Sequence, residues 1–416
     1  MSTKRILLLG GGRYNVPAIR AARDAGFFTI VADRSADAPG LQVADLPLPI
    51  DLNDCDALVH AVGRQGGIDG VVSMAEIGVR AAAKISRQLR LASISEEAAA
   101  NATSKAAMRQ LWSALGEYSV RFEVVDNVDA AIAAVDKLDS LPLIFKPDRS
   151  FGGSRGVTRV ERREDVADAF RTAKTGGLPC SEVVIEQWAD GSEHSAEVLI
   201  WQGKTSVLCI GQKIKSLFPY RVDVSVQYPA QLNAAQELKV ADMCDKAVKA
   251  LGLTQGTAHI EFAYTKHGPV LFELGARCGG GHTPQIAHHV SGVDEFVEAC
   301  RMACGITPGQ FDPVERRAAD YRFLVFAPGV VERIDIPQAF QKDPHVLDIG
   351  VTLKPGDEIR ELRTTAERAG FLVSLGDNLE EAVERADRAC REVSICYADG
   401  RAGHARELHE FRELVH

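Results

Sequence analysis

The stretch from His259 to Arg277 constrains this chain more than any other. His259-Ile260-Glu261-Phe262 and Val270-Leu271-Phe272-Glu273-Leu274 are two strand-like runs, separated by Lys266-His267-Gly268 and followed by Gly275-Ala276-Arg277. A three-residue connection between such runs predicts an antiparallel hairpin. Glu261 and Glu273 then lie directly opposite on one face, while Ile260, Phe262, Phe272 and Leu274 face the other way. Like charges about 5 Å apart across a ladder destabilise it unless a cation lies between them. Paired carboxylates offering only oxygen suit Mg²⁺, which also takes phosphate oxygens. Two exposed, solvated carboxylates are the alternative. Arg277 falls on the same face by parity, where a guanidinium can stabilise a transferring phosphoryl group.

Three further elements precede the hairpin. Lys105 stands in Thr103-Ser104-Lys105-Ala106-Ala107-Met108-Arg109, early in an expected helix, and alone it reads as a solvated charge. Lys146 ends the apolar run Leu143-Ile144-Phe145, where burial in a core would leave its ammonium without a partner; the strand end aims it at a cleft instead. The loop behind it, Ser150-Phe151-Gly152-Gly153-Ser154-Arg155-Gly156, has three glycines and two serines. Its N–H groups can fold over anionic oxygens, or it is a plain hairpin connection. Val183-Val184-Ile185-Glu186 then runs into Gln187-Trp188-Ala189-Asp190-Gly191-Ser192-Glu193. Such a hinge can offer backbone groups to a purine edge and carboxylates to ribose hydroxyls.

The 416 residues allow two to four domains. Strand Arg5–Leu9, helix Val16–Ala25, strand Phe28–Val31, strand Asp69–Ser73 and helix Gly78–Arg90 alternate in the rhythm of a doubly wound parallel sheet. Boundaries fall at 1–98 for this α/β unit, 99–315 for a central α+β unit with a smaller subdomain at about 120–188, and 316–416 for a C-terminal α+β region. Ile306–Pro313 reads as a linker or long surface turn. Gly10, Gly12 and Asp33 partly match a dinucleotide fingerprint, but Asn15 stands where its third glycine belongs. That turn is either a tight strand-to-helix connection or a holder of a substrate phosphate or carboxylate. A net charge of −9 argues against nucleic acid as a partner, since phosphate backbones need a basic face. No apolar run reaches the length of a membrane span or a signal peptide, so a cytoplasmic enzyme is expected. The nine cysteines lack CxxC pairs and read as buried free thiols.

In this order the elements resemble the ATP-grasp superfamily, over nearly the whole chain. The start Leu7–Asp33 resembles the N-terminal domain of the branch that holds biotin carboxylase, the purine-pathway carboxylases and the L-amino acid ligases. The segment Ile94–Trp112 resembles that branch's first ATP-grasp helix, and Gly329–Cys396 the closing subdomain of the L-amino acid ligases. The resemblance implies an ATP-grasp fold and the cofactors ATP and Mg²⁺, one or two ions, with Mn²⁺ as a substitute. It implies Lys105 and Lys146 on ATP phosphates, and Gly152, Gly153, Ser154 and Gly156 in a flexible lid loop. Glu186, Gln187, Trp188 and Ala189 would form the adenine hinge, with Glu193 on the ribose. Glu261 and Glu273 would be metal ligands, and Arg277 would hold the transferred phosphate. One departure is Gly275, where the family usually has an Asn metal ligand; that position is missing or filled by water.

The family chemistry is an ADP-forming ligation: a carboxylate attacks the γ-phosphate, and an amine then displaces phosphate from the acyl-phosphate. The absence of a Ser/His/Asp or Cys/His arrangement agrees, since phosphoryl transfer needs positioning and charge neutralisation. An amino-acid or dipeptide-type substrate is expected. Glu76 could bind its amine, or could merely start a helix. Gly280 allows close backbone approach to a small molecule, and His282 is a substrate contact or a turn residue. The partners expected are a small carboxylate and a small amine. Related enzymes are often homodimers, though no stretch here marks an interface. A bicarbonate-using carboxylase, a nucleotide-binding protein without turnover, and a nicotinamide dehydrogenase are the competing readings. Asn15 and everything after residue 100 weigh against the last.

Overall fold

The computed structural model describes residues 3–150, 154–179, 182–217, 220–309 and 317–411. The first unit comprises β1 (Arg5–Leu9), α1 (Val16–Asp24), β2 (Phe28–Ala32), α2 (Pro39–Val43), β3 (Leu46–Leu48), α3 (Cys55–Arg64), β4 (Gly70–Ser73) and α4 (Val79–Leu89). Its strands are all parallel, in the order β3-β2-β1-β4. The apolar run of β1 is buried on both faces, as a parallel sheet requires. Leu7 and Leu9 join a cluster with Leu58, Val62 and Ile85, while Ile6 and Leu8 join one with Ile19, Phe296 and Cys300. Fully burying each such side chain is worth roughly 1.5–3 kcal/mol. Phe296 and Cys300 come from far along the chain, so this sheet is closed on one face by a helix of the central region.

Next come α5 (Glu96–Asn101) and α6 (Lys105–Trp112), and then β5 (Phe122–Val125), α7 (Val128–Leu138), β6 (Leu143–Pro147), β7 (Thr158–Val160), α8 (Val166–Gly176) and β8 (Val183–Gln187). These four strands form an antiparallel sheet, β5-β8-β6-β7, whose core holds Val135, Leu138, Phe145, Phe170 and Ile185.

The large sheet uses β9 (Gly191–Trp201), β10 (Lys204–Lys215), β11 (Asp223–Tyr228), β12 (Gln255–Thr265) and β13 (Gly268–Gly275), with α9 (Ala234–Ala250) between β11 and β12. A reciprocal cap starts α9: the Asn233 side chain accepts from Gln236 N and the Gln236 side chain accepts from Asn233 N. After α10 (Thr283–Ser291) and α11 (Glu295–Ala303) the chain continues through β14 (Ala318–Leu324), β15 (Gly329–Asp335), α12 (Gln338–Lys342), β16 (Val346–Val351), β17 (Glu358–Ile359), β18 (Gly370–Gly376), α13 (Leu379–Glu392), β19 (Ser394–Tyr397) and β20 (Ala402–His404).

The C-terminal region is not a separate layer. Its strands β14, β18 and β16 extend the central sheet to eight strands, β13-β12-β9-β10-β11-β14-β18-β16, while β17-β15-β19-β20 form a small sheet of their own. A buried network fastens this join. Arg322, fully buried, binds Asp320 at 2.8 Å and Asp387 of α13 at 2.6 Å, and Ser225 of β11 donates to Asp320 at 2.7 Å. Among the described residues no helix is long and apolar enough to cross a membrane, and the described cysteines are free thiols.

Candidate active site

The hairpin β12–β13 pairs Glu261 with Glu273, but by a different route from the expected one. Thr265 pairs with Gly268, so the turn holds two residues, Lys266 and His267, rather than three. That register alone would place Glu261 opposite Phe272. A one-residue bulge after Leu271 restores the pairing: Phe262 faces Leu271, then Glu261 faces Glu273. The extra residue is Phe272. Leu271, not Phe272, fills the core beside Phe262 and Leu274, and the Phe272 ring lies 5.8 Å from the Lys146 ammonium. The expectation that Phe272 faces the core is corrected by this bulge.

Each carboxylate of the pair is matched by a lysine from another element. Lys105 Nζ lies 2.8 Å from Glu273 Oε1, and Lys213 Nζ of β10 lies 2.9 Å from Glu261 Oε1. Lys105 is not a solvated charge: it is only 9% exposed. It opens α6 because Ser104 caps the helix, accepting from Ala107 N and donating to Asp148 Oδ1 at 2.7 Å. Asp148 also accepts from Ala106 N, which ties α6 to the end of β6. Burial works against the Lys105 charge, but Glu273 outweighs it and holds the pKa above its ordinary value. Burial likewise pushes the Glu261 carboxyl up, and Lys213 and His259 overcome it, holding it well below the usual carboxylate range.

Lys146 sits near the end of β6 as expected, 7% exposed. Its Nζ is 2.7 Å from Glu186 Oε2. The Glu186 carboxylate also receives the fork of Arg109, Nε to Oε1 at 2.7 Å and Nη2 to Oε2 at 2.9 Å, and Arg109 Nη2 donates to the Phe272 carbonyl at 3.2 Å. One buried carboxylate thus balances two cations. Burial raises the Glu186 pKa and both cations pull it back below its ordinary value; burial, with Arg109 adding to it, lowers that of Lys146. The side chain of Glu186 is therefore committed to Lys146 and Arg109. In the hinge, Gln187 N and Trp188 N are bonded to the carbonyls of Arg121 and Pro142, and the Trp188 ring lies under the guanidinium of Arg159 at 4.8 Å. Ala189 is half-buried beside it. Glu193 on β9 meets Lys215 at 2.5 Å and Arg221 at 3.5 Å.

Gly152 and Gly153 lie outside the described residues. Ser154 closes a turn onto Val157 N. Gly156 has φ +74°, and a Cβ there would lie 3.1 Å from the Thr172 carbonyl of α8, so it is needed for packing on that helix. Glu76 and Arg277 come together from different units, Oε2 to Nε at 3.2 Å. Burial raises the Glu76 pKa, with Arg277 opposing. Gly275 belongs to this contact: a Cβ on it would lie 3.0 Å from Glu76 Oε2 and 3.3 Å from Arg277 Cζ. Gly280 is exposed. His282, 5% exposed, caps α10 among Tyr14, Tyr321 and Phe371, with Nε2 3.3 Å from Asp348 Oδ2.

Sequence reasoning missed Arg109, Asp148, Lys213 and Glu197. Glu197, fully buried, accepts from Gly279 N at 3.0 Å and lies 2.5 Å from His259 Nδ1. Burial depresses the His259 pKa, but Glu197 and then Glu261 raise it to about 9. Two signals were available: Arg109 falls one helical turn after Lys105, and Glu193, Ser195 and Glu197 alternate along β9 on the face of Glu261.

Among the described residues no group of three or more His, Cys, Asp or Glu is arranged to hold a metal. The donor set is two opposed carboxylates, which fits Mg²⁺ completing its shell with phosphate and water oxygens.

A parallel-sheet unit, a small antiparallel subdomain and a carboxylate hairpin facing two buried lysines define an ATP-grasp protein. Residues 139–285 match the ATP-grasp domain family, and residues 322–398 match the L-amino acid ligase C-terminal domain 2. The chain belongs to the ATP-grasp superfamily, as a ligase with an L-amino acid ligase-like C-terminal domain. It is similar to the L-amino acid ligase of Bacillus licheniformis, with a TM-score of 0.80 and 25% identity, covering 95% of this chain and 99% of that one. It is 24% identical over 417 residues to dapdiamide A synthase of Enterobacter agglomerans, covering 91% of this chain and 93% of that protein. A formate-dependent phosphoribosylglycinamide formyltransferase of Synechococcus sp. (strain RCC307) is 26% identical over 409 residues, covering 94% of this chain and 97% of that protein.

Proposed function

We propose that the protein joins a small carboxylate, of amino-acid or dipeptide type, to an amine at the expense of ATP. The observation that carries this reading is the direct opposition of Glu261 and Glu273, each met by a lysine from another element. Glu261 and Glu273 would hold Mg²⁺, which would supply charge neutralisation at the phosphates. Lys105 and Lys146 bind the ATP phosphates, and Glu186 with Arg109 keeps Lys146 in place. The loop around Ser154 covers the phosphates, and the Gln187–Ala189 hinge with Glu193 takes the nucleoside. A substrate carboxylate oxygen attacks the γ-phosphorus as the bond to ADP breaks, and Arg277 stabilises the charge on the transferred group. The amine then attacks the acyl carbon, phosphate leaves, and the amine surrenders a proton. Glu76, 3.2 Å from Arg277, would hold a substrate ammonium, and Gly280 and His282 would be further substrate contacts. The similarity of the C-terminal region to L-amino acid ligases and of the whole chain to dapdiamide A synthase supports an amino-acid-type substrate.

The test is ADP release with ATP and Mg²⁺ across pools of amino acids, small carboxylates, formate and bicarbonate, beside Glu273→Ala. Release that needs a carboxylate and an amine together, and vanishes in the variant, is the expected result. Release driven by bicarbonate or formate alone would replace the ligase by the other chemistry of the superfamily. ATP binding without turnover in any pool would point to a nucleotide-binding protein.

A further inference from the structure

Behind the catalytic hairpin, on the opposite face of β9 and β12, lies a groove of about 490 Å³ between the β12–β13 turn and the start of α9. Among the described residues its lining contains no Asp or Glu, in a chain with 57 acidic residues against 48 basic ones. It does contain Lys239 and Lys266, both exposed. Lys239 Nζ lies 3.8 Å from where a Cβ of Gly268 would stand, on the same turn that carries Lys266. Among the described residues neither lysine forms an ion pair. Two cationic side chains thus share one end of the groove, and like charges repel each other.

Two of the glutamines in the lining present donors. Gln212 accepts from Gln231 N at 3.3 Å and Gln236 accepts from Asn233 N at 2.9 Å. Each amide oxygen already accepts one bond, which turns the amide so that its NH₂ group is free to donate. The floor is His194, 1% exposed, stacked on Phe262 with ring centroids 5.3 Å apart. Its Nε2 meets Ser192 Oγ at 2.8 Å and its Nδ1 has no hydrogen-bond partner. The arrangement mirrors the hairpin's other face, where paired carboxylates call for a cation.

We infer that this groove binds a compact, multiply charged oxyanion, seated between Lys239 and Lys266. Phosphate-bearing and polycarboxylate molecules share this chemistry, and two probes separate them: pyrophosphate and citrate. The experiment is residue-resolved amine labelling of the whole protein in metal-free buffer, read by mass spectrometry, so that anions entering the ATP cleft do not confuse the result. Either probe is expected to slow labelling of Lys239 and Lys266 together by about tenfold, the change equivalent to about 1.4 kcal/mol of binding. Exposed Lys204 on β10 should be unaffected. Protection by one probe alone names the ligand class. In Lys266→Gln, protection of Lys239 should be lost while its labelling without anion remains. Labelling of both lysines that never responds to either probe would overturn the inference, and so would protection of Lys239 that survives Lys266→Gln. Neither result bears on ligase activity.

Discussion

Arg109 offers the sharpest test of how the site is built, because the charges around it can be counted. Arg109, Glu186 and Lys146 are all nearly excluded from water, with two cations sharing one carboxylate. Arg109→Met removes one cation and leaves Lys146 and Glu186 as a neutral pair. Glu186 Oε1 then loses its partner, and the Phe272 carbonyl loses its donor. Breaking a buried pair from one side costs about 3–5 kcal/mol, and this variant should fall at the lower end because Lys146 still pairs. Glu186→Met is the harsher change: it strands two cations in a dry site, where one must lose its proton or draw in water. It should cost more than Arg109→Met, at the upper end of that range or beyond. Arg109→Lys keeps the charge but not the two-pronged geometry, and should fall between wild type and Arg109→Met. Urea unfolding can be followed by fluorescence of Trp112, fully buried with its ring 5.8 Å from the Arg109 guanidinium. The KM for ATP should rise in all three variants, since Lys146 loses its support. Equal or smaller destabilisation in Glu186→Met than in Arg109→Met would refute the idea that this carboxylate balances both cations.

Other outcomes follow from single contacts. Gly275→Ala places a methyl 3.0 Å from Glu76 Oε2 and should raise the KM for the amine-bearing substrate about tenfold, about 1.4 kcal/mol, while the KM for ATP stays put; a change in the ATP value alone would contradict this. Mg²⁺ should raise the melting temperature of the ATP-bound protein, and EDTA, Glu261→Ala or Glu273→Ala should abolish that increment, as differential scanning fluorimetry can show. Burial holds the His194 pKa at about 4, against 6.5 for the free side chain. Below pH 6.5 the unfolded chain therefore takes up a proton that the folded one refuses, and stability falls as pH drops from 6.5 towards 4, by up to about 3 kcal/mol. His194→Phe, which can keep the stack on Phe262, should flatten that slope in urea titrations at pH 7 and pH 5; an unchanged slope would remove His194 as the cause.

What could be read from the residues, and what could not, divides along physical range. Elements set by local pattern stand where periodicity places them: strand Arg5–Leu9 has the bounds expected of it, and the helix expected at Val16–Ala25 and the strand at Phe28–Val31 each end within one residue of theirs. Contacts between distant segments leave no such trace. Nothing in Ala318–Leu324 announces that it pairs with Asp223–Tyr228 and extends the central sheet, because edge pairing depends on backbone groups that every residue carries. The hairpin lies between these cases. A three-residue turn pairs Glu261 with Glu273, and the chain reaches the same pairing with a two-residue turn and a bulge. Alternation alone cannot tell the two apart, since each shifts the register by one residue and the shifts cancel at Glu261. They do not cancel at Phe272, which the bulge turns from the core towards Lys146. The position that pattern reading misplaces is thus the one where the strand departs from regular geometry to serve the cleft. Arg109, whose fork holds both Glu186 and the Phe272 carbonyl at that bulge, was hidden for the same reason: its role exists only once three segments meet.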